Sequence, residues 1–242
     1  MEILVGLGIL VGLVAGFFGV GGGALLVPAL MSLSYTIQAA IGISIIQMLI
    51  SSSMGSFLHY KKGNLDLTHI IFLSVGGVLG GLLSPFIVLS FPSLMLELLF
   101  IFFVLLAFFK LLYKTKIQLK KSFSSTILIL IGLSIGLISS SIGIGGAILL
   151  TPFLHVYLGY DLRKATALSL LFILFTTFAS SISWLSTGIV LFKEGLIVGL
   201  SSLIGVWIGI YLAERVKAKT FKGLLIVLYI VVLIYMLRKV FL

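Results

Sequence analysis

Gly19-Val20-Gly21-Gly22-Gly23-Ala24-Leu25-Leu26-Val27-Pro28 interrupts one long apolar run, and Gly143-Ile144-Gly145-Gly146-Ala147-Ile148-Leu149-Leu150-Thr151-Pro152 interrupts another. The two share the pattern Gly-x-Gly-Gly-small-apolar-x-x-x-Pro, and from Gly19 to Gly143 is 124 positions. Clustered glycines break a helix, because glycine reaches backbone angles that other residues adopt only at a cost. In hydrocarbon the freed N–H and C=O groups survive only if buried in protein or lining a wet cavity. Broken apolar segments at matching places in two halves of a chain point to a carrier and to its binding site.

The 242 residues are 61% hydrophobic and 9% charged. Soluble domains carry about a quarter charged residues, so the solvent for this surface is lipid. The chain is expected to be an all-α polytopic membrane protein. Met1-Glu2 offers no positive leader region, so the stretch from Ile3 reads as a first membrane segment rather than a signal peptide. Cysteine is absent, which excludes disulfides and thiol chemistry. The formal charge of +10 sits in short clusters between apolar runs. That is the pattern of membrane loops, not of a nucleic-acid-binding face. The same clusters suit anionic lipid headgroups.

Apolar segments are expected at about 3–18, 24–34, 37–58, 68–90 and 94–113, then at 124–141, 147–158, 164–186, 194–213 and 220–238. The pieces 24–34 and 147–158 span about 16–18 Å as helices, roughly half a bilayer. The match between halves extends beyond the glycine clusters. Gly8 and Gly12 correspond to Gly132 and Gly136. After one inserted residue, Ala40 and Ser44 correspond to Ala165 and Ser169, Gly63 to Gly188, and Gly80 to Gly205. The expected organisation is a first membrane repeat at 1–113, a cytoplasmic connector at 114–123 and a second repeat at 124–242. Each repeat holds about five helical segments. The Gly pairs spaced by four suit close helix packing.

Lys and Arg give the orientation. If 3–18 and 24–34 together leave the membrane on the side they entered, the halves are inverted. One face then collects 13 of the 16 basic residues, all but Lys193, Arg238 and Lys239. If 3–34 is one interrupted span, the halves are parallel and the split is 10 to 6. The inverted arrangement fits better, with both termini outside and the basic loops cytoplasmic.

The breaks themselves are the first candidates for binding: Gly19, Gly21, Gly22, Gly23, Gly143, Gly145 and Gly146. The helix following each break starts near mid-membrane with unpaired, partly positive N–H groups, a ready anion site. Residues 19–24 also match a G-x-G-x-x-A dinucleotide pattern, but no βαβ unit and no acidic residue about 20 positions on supports it. Ser44, Gln47 and Ser51 share one helix face by spacing. Ser169 and Thr177 lie on the matching segment with Thr166, Thr176, Ser180 and Ser181. Hydroxyls and amides donate to an anion without a fixed charge, though such groups also bond back to their own helix or to a neighbour. A mid-segment amide such as Gln47 is costly without a partner. Glu97 falls at an interface, Asp66 and Asp161 at helix starts, and His155 reads as interfacial. The chain shows no phosphate-binding G-x-x-x-x-G-K-[ST] loop, no H-E-x-x-H and no cluster of metal ligands. Neither enzyme activity nor any cofactor or metal is expected.

Gly16-Phe17-Phe18-Gly19-Val20-Gly21-Gly22-Gly23 leading to Pro28, the second copy from Ser139 to Pro152, and Ala165-Thr166-Ala167-Leu168-Ser169 after it resemble the sulfite exporter TauE/SafE family of membrane permeases. The resemblance covers essentially the whole chain. It implies secondary transport, with export favoured, of small sulfur-containing anions such as sulfite or organosulfonates. The second copy departs from the first, with Ser139-Ser140-Ser141 where the first has Ala15-Gly16-Phe17. A site built from both copies is therefore asymmetric. The resemblance leaves open which anion is carried, whether a proton or a sodium ion is coupled, and whether the chain forms a homo-oligomer. The alternative is a non-transport integral membrane subunit with an assembly or scaffold role, which should show His, Cys or Met ligand clusters.

Overall fold

The computed structural model describes residues 1–61, 63, 67–112, 123–216 and 218–241. Lys62, Asp66, Lys217 and positions 114–122 of the connector expected at 114–123 lie outside the described residues. Helices form where the apolar runs lie, with each end within three residues of its expected place. They are α1 (Glu2–Phe18), α2 (Gly23–Ser32), α3 (Ile37–Lys61), α4 (Leu67–Ser90) and α5 (Ser93–Leu112), then α6 (Ser125–Ile142), α7 (Ala147–Val156), α8 (Leu162–Leu185), α9 (Phe192–Arg215) and α10 (Ala218–Phe241). Six have the length and apolarity to cross a membrane: α3, α4, α6, Arg163–Leu185, Phe192–Ala213 and Gly223–Val240. The protein is an all-α polytopic membrane protein.

Local chemistry sets the helix ends. Ser124 caps α6 by accepting the Ile127 N–H, and Asp161 caps α8 by accepting the Arg163 N–H at 3.1 Å. Both expected half-membrane pieces are ten-residue helices, about 15 Å long. Each carries a proline at its sixth position, Pro28 or Pro152. That proline leaves the carbonyl four residues back, on Ala24 or Ile148, without its helical donor.

Small residues bring the long helices together. A Cβ on Gly12 would stand 2.1 Å from the Ser202 carbonyl oxygen, and one on Gly132 would stand 2.0 Å from that of Leu73. The contact register gives the helix directions. Gly8, Gly12 and Gly16 meet Val198, Ser202 and Val206, so α1 and α9 run parallel. Gly132 and Gly136 meet Leu73 and Gly77, so α6 and α4 do too. Gly195 and Gly199 set α9 parallel to α3 through Ile46 and Ile50, while Gly77 and Gly81 set α4 parallel to α8 through Phe172 and Thr176. Gly42 meets Trp184 and Gly55 meets Leu170, so α3 and α8 are antiparallel at the centre. Two-thirds of each central span is buried, against 22% of the α10 span, which puts α10 at the periphery.

The short helices reverse direction. Gly22 lies by Gln47 and Gly23 by Ser44, so α2 runs against α3. Gly146 lies by Phe172 and the Thr151 hydroxyl bonds that of Ser169, so α7 runs against α8. Since α1 and α3 run the same way, α1 and α2 leave from the end at which they begin. Lys61, His155, Arg163 and Lys164 then share one end of the bundle. Lys193 and the Glu97–Lys239 pair, 4.0 Å apart, lie at the other.

One pair of variants tests this packing. Gly12→Leu should lower the thermal stability of the purified protein in detergent, because forced overpacking costs about 1–3 kcal/mol. Gly6→Leu, on the same helix with nothing within 4 Å of its Cβ, should leave the melting temperature where it is.

Candidate functional site

α1 stops at Phe18 because Gly19 turns left-handed at φ 66°, its N–H donating to the Ala15 carbonyl at 2.8 Å. Gly21 and Gly22 follow at φ 78° and 83°, and α2 begins. The second break does the same with Gly143 at φ 68°, capping on the Ser139 carbonyl, and Gly145 at φ 79°. A side chain at these angles is strained. Gly146 differs, with an ordinary φ of −62°. There the demand is space, since a Cβ would fall 2.5 Å from the Phe172 ring. Residues 19–24 and 141–148 are all buried, so the unwound backbone is shielded from lipid by protein.

The two breaks meet. A Cβ on Gly23 would lie 1.9 Å from the Gly143 carbonyl oxygen, and one on Gly145 would lie 2.9 Å from that of Val20. Met48 of α3 and Ile173 of α8 touch Gly21 and Gly145 alike. The expected convergence of the breaks is present, but the broken chain of one fills the space before the helix start of the other. Ser44 completes the junction, its hydroxyl donating to the Gly143 carbonyl at 2.9 Å across the two halves of the chain.

The other expected hydroxyls are engaged locally. Ser51 donates to the Met48 carbonyl, Thr177 to that of Ile173 at 2.7 Å, and Ser169 pairs with Thr151 at 2.9 Å. Gln47 is different. It is fully buried, and neither atom of its amide has a hydrogen-bond partner. Its Oε1 would stand 3.2 Å from a Cβ on Gly22, immediately beside the start of α2. The equivalent place beside Gly146 holds Phe172. The second break has a polar neighbour too, the Ser139 hydroxyl, whose Oγ would stand 3.4 Å from a Cβ on Gly146.

Ser56, Ser74, Ser141 and Thr176 also carry buried hydroxyls with no hydrogen-bond partner. Serine and threonine are ordinary in membrane helices, so only the tertiary structure separates these from the bonded ones. His155 donates from Nδ1 to the Tyr160 carbonyl at 2.8 Å, a contact at the helix end and not at the junction. Among the described residues no three metal-ligating side chains gather.

A buried, glycine-built junction of two helix starts inside a bundle of apolar helices, six of them long enough to cross a membrane, defines a polytopic membrane protein. The chain belongs to the sulfite exporter TauE/SafE family, whose model matches residues 4–236. Its members are transporters and not enzymes, and this chain is a membrane transporter of that family. It is 26% identical over 212 residues to "Probable membrane transporter protein YdhB" of Bacillus subtilis, covering 83% of this chain and 85% of that one. It is 24% identical to "Probable membrane transporter protein YunE" of the same organism, covering 96% and 94%. It is 27% identical to "Probable membrane transporter protein MJ0441" of Methanocaldococcus jannaschii, covering 90% and 88%. No solved structure matches the chain.

Gln47→Leu should raise the melting temperature of the ligand-free protein. Removing a buried, unbonded amide while keeping its volume relieves a penalty of about 1–3 kcal/mol. An unchanged or lowered melting temperature would mean that the amide is satisfied.

Proposed function

We propose that this protein exports a small sulfur-containing oxyanion, sulfite or an organosulfonate, by alternating access around the junction of the two breaks. The observation that carries the reading is the Gln47 amide, buried and unpartnered at the start of α2. A helix start offers N–H groups and partial positive charge, and a primary amide offers two further donors. The Gly143 carbonyl marks where an oxyanion oxygen goes, because it receives the Ser44 hydroxyl and lies against Gly23. When the breaks part, that oxygen leaves, and a substrate oxygen takes its place before Ser44, Gln47 and the N–H groups of Gly21, Gly22 and Gly23. Gly19 and Gly143, Gly145 and Gly146 give the junction its shape. Ser51, Ser169 and Thr177 line it from the two central helices. Neutral donors bind the anion without holding it so tightly that release fails. The name of the family, sulfite exporter, favours this chemical class.

The two halves act as inverted repeats, 1–113 and 124–242, joined at 114–123. The antiparallel pairing of α3 with α8 supports this, as do the matching contacts of α1 on α9 and α6 on α4. The end bearing Lys61, Arg163 and Lys164 faces the cytoplasm by the positive-inside tendency. A proton or sodium ion drives the cycle, and the chain works as a monomer or a homo-oligomer in the bilayer.

Flux into proteoliposomes with sulfite, thiosulfate, sulfoacetate and chloride, with and without a pH gradient, tests the function. Sulfur oxyanions should move and chloride should not. Gly145→Val should abolish flux while insertion persists, since φ 79° and a Cβ 2.9 Å from the Val20 carbonyl oxygen forbid a side chain. Gln47→Leu should cut flux about tenfold or more, the loss expected when charge-assisted hydrogen bonds worth about 1.5–3 kcal/mol disappear. Flux that survives both changes makes the junction scaffold. The chain has no cysteine of its own. In cells, Ser186→Cys should therefore react with an impermeant thiol reagent from outside, and Ser124→Cys should not.

A further inference from the structure

A cleft of about 400 Å³ opens between the second half of α3, the first half of α4 and the middle of α8. Ser56, Phe57, Tyr60, Ile70, Ser74 and Phe175 are on its wall, at the end of the bundle that carries Lys61. Its lining is mostly apolar, yet Ser56 and Ser74 are 4% and 5% exposed and neither hydroxyl has a hydrogen-bond partner. A buried unbonded hydroxyl costs about 1–3 kcal/mol, and an acyl chain does nothing to relieve that cost. Water or an oxyanion in the cleft does, once each hydroxyl turns toward it. The Lys61 ammonium stands 4.6 Å from the Phe57 ring centroid, which puts a positive charge at the mouth.

The corresponding place at the opposite end is closed. There Gly195 and Gly199 seat α9 directly on Ile46 and Ile50, and Trp184 is fully buried against Gly42. Ser181, 125 positions after Ser56, is back-bonded to the Phe178 carbonyl at 2.8 Å. Gly199, 125 positions after Ser74, has no side chain to offer. One end is thus an open cleft with two unpaired hydroxyls and a cation at its mouth, while the other is packed shut, with Trp184 Nε1 buried and unbonded inside it.

We propose that this cleft is the portal through which the oxyanion passes between the lysine-bearing face and the glycine junction, with Ser56 and Ser74 as its intermediate hydroxyl station. The proposal rests on the junction being the binding site. The structure is then the state open toward the basic face. The cation at the mouth gathers anions, and the two hydroxyls replace part of their hydration.

The cysteine-free chain makes the test direct. Ser74→Cys and Ser181→Cys are each reacted with 2-sulfonatoethyl methanethiosulfonate, an anionic, impermeant thiol reagent. Inside-out and right-side-out vesicles are both used, and each variant is first checked for monodisperse elution. In inside-out vesicles Ser74→Cys should react at least about tenfold faster than Ser181→Cys does from either side, because the reactive thiolate forms only where water reaches it. Sulfite or sulfoacetate should slow that reaction. Ser56→Cys serves as the second probe should Ser74→Cys fail to elute as folded protein. Equal rates at both ends, no protection by either anion, or reaction only with a lipid-soluble reagent would each overturn the portal, the last by assigning the cleft to the bilayer. These readouts are separate from flux through Gly145→Val and Gln47→Leu, so the portal and the junction fail independently.

Discussion

Unwound backbone inside hydrocarbon has nowhere to put its hydrogen bonds, and that constraint organises this molecule. Two breaks in the same bilayer can shield each other, and here they do. The Gly143 carbonyl is covered by Gly23 and bonded by Ser44, while Val20 lies on Gly145. Each contact requires a glycine, because a Cβ would occupy the place of the opposing main chain. The junction is therefore shielded by protein, yet it is held by few bonds and contains an amide with none. A junction of that kind is suited to parting when a better partner for its donors arrives.

The long helices supply the frame for this weak centre. Lipid gives no hydrophobic drive to helix association, so close approach and dispersion must hold the bundle. The glycine contacts of α1 on α9 and of α6 on α4 do this at nearly backbone-to-backbone distance. They also tie each half of the chain to the other, since each of these tight pairs takes one helix from each half. The halves cannot separate as rigid bodies without breaking them.

Much of the fold was legible in the sequence, for a physical reason. A helix in lipid must be apolar along its whole length, so its limits follow from where charge, glycine and proline begin. That is why ten segments read from hydropathy fall within three residues of ten helices. The site was legible only in part. The glycine clusters marked the breaks because a left-handed turn leaves a signature in residue type. The hydroxyls did not declare their roles. Ser44 crosses to the other half, Thr177 bonds its own helix, Ser169 takes Thr151, and Ser56 and Ser74 take nothing. Spacing places all of these on helix faces without distinguishing them.

By itself the chain of residues determined the solvent, the number and limits of the membrane segments, and the positions where the helix must break. These depend on local chemistry: transfer of side chains to lipid, glycine's access to left-handed angles, and proline's missing donor. Tertiary structure decided which break faces which, that the Gln47 amide stands beside one helix start where Phe172 stands beside the other, and that one end carries a cleft while the other is packed shut. Those outcomes depend on contacts between residues some hundred positions apart. Such contacts are set by how whole helices pack, a balance of many small dispersion terms that no local pattern encodes.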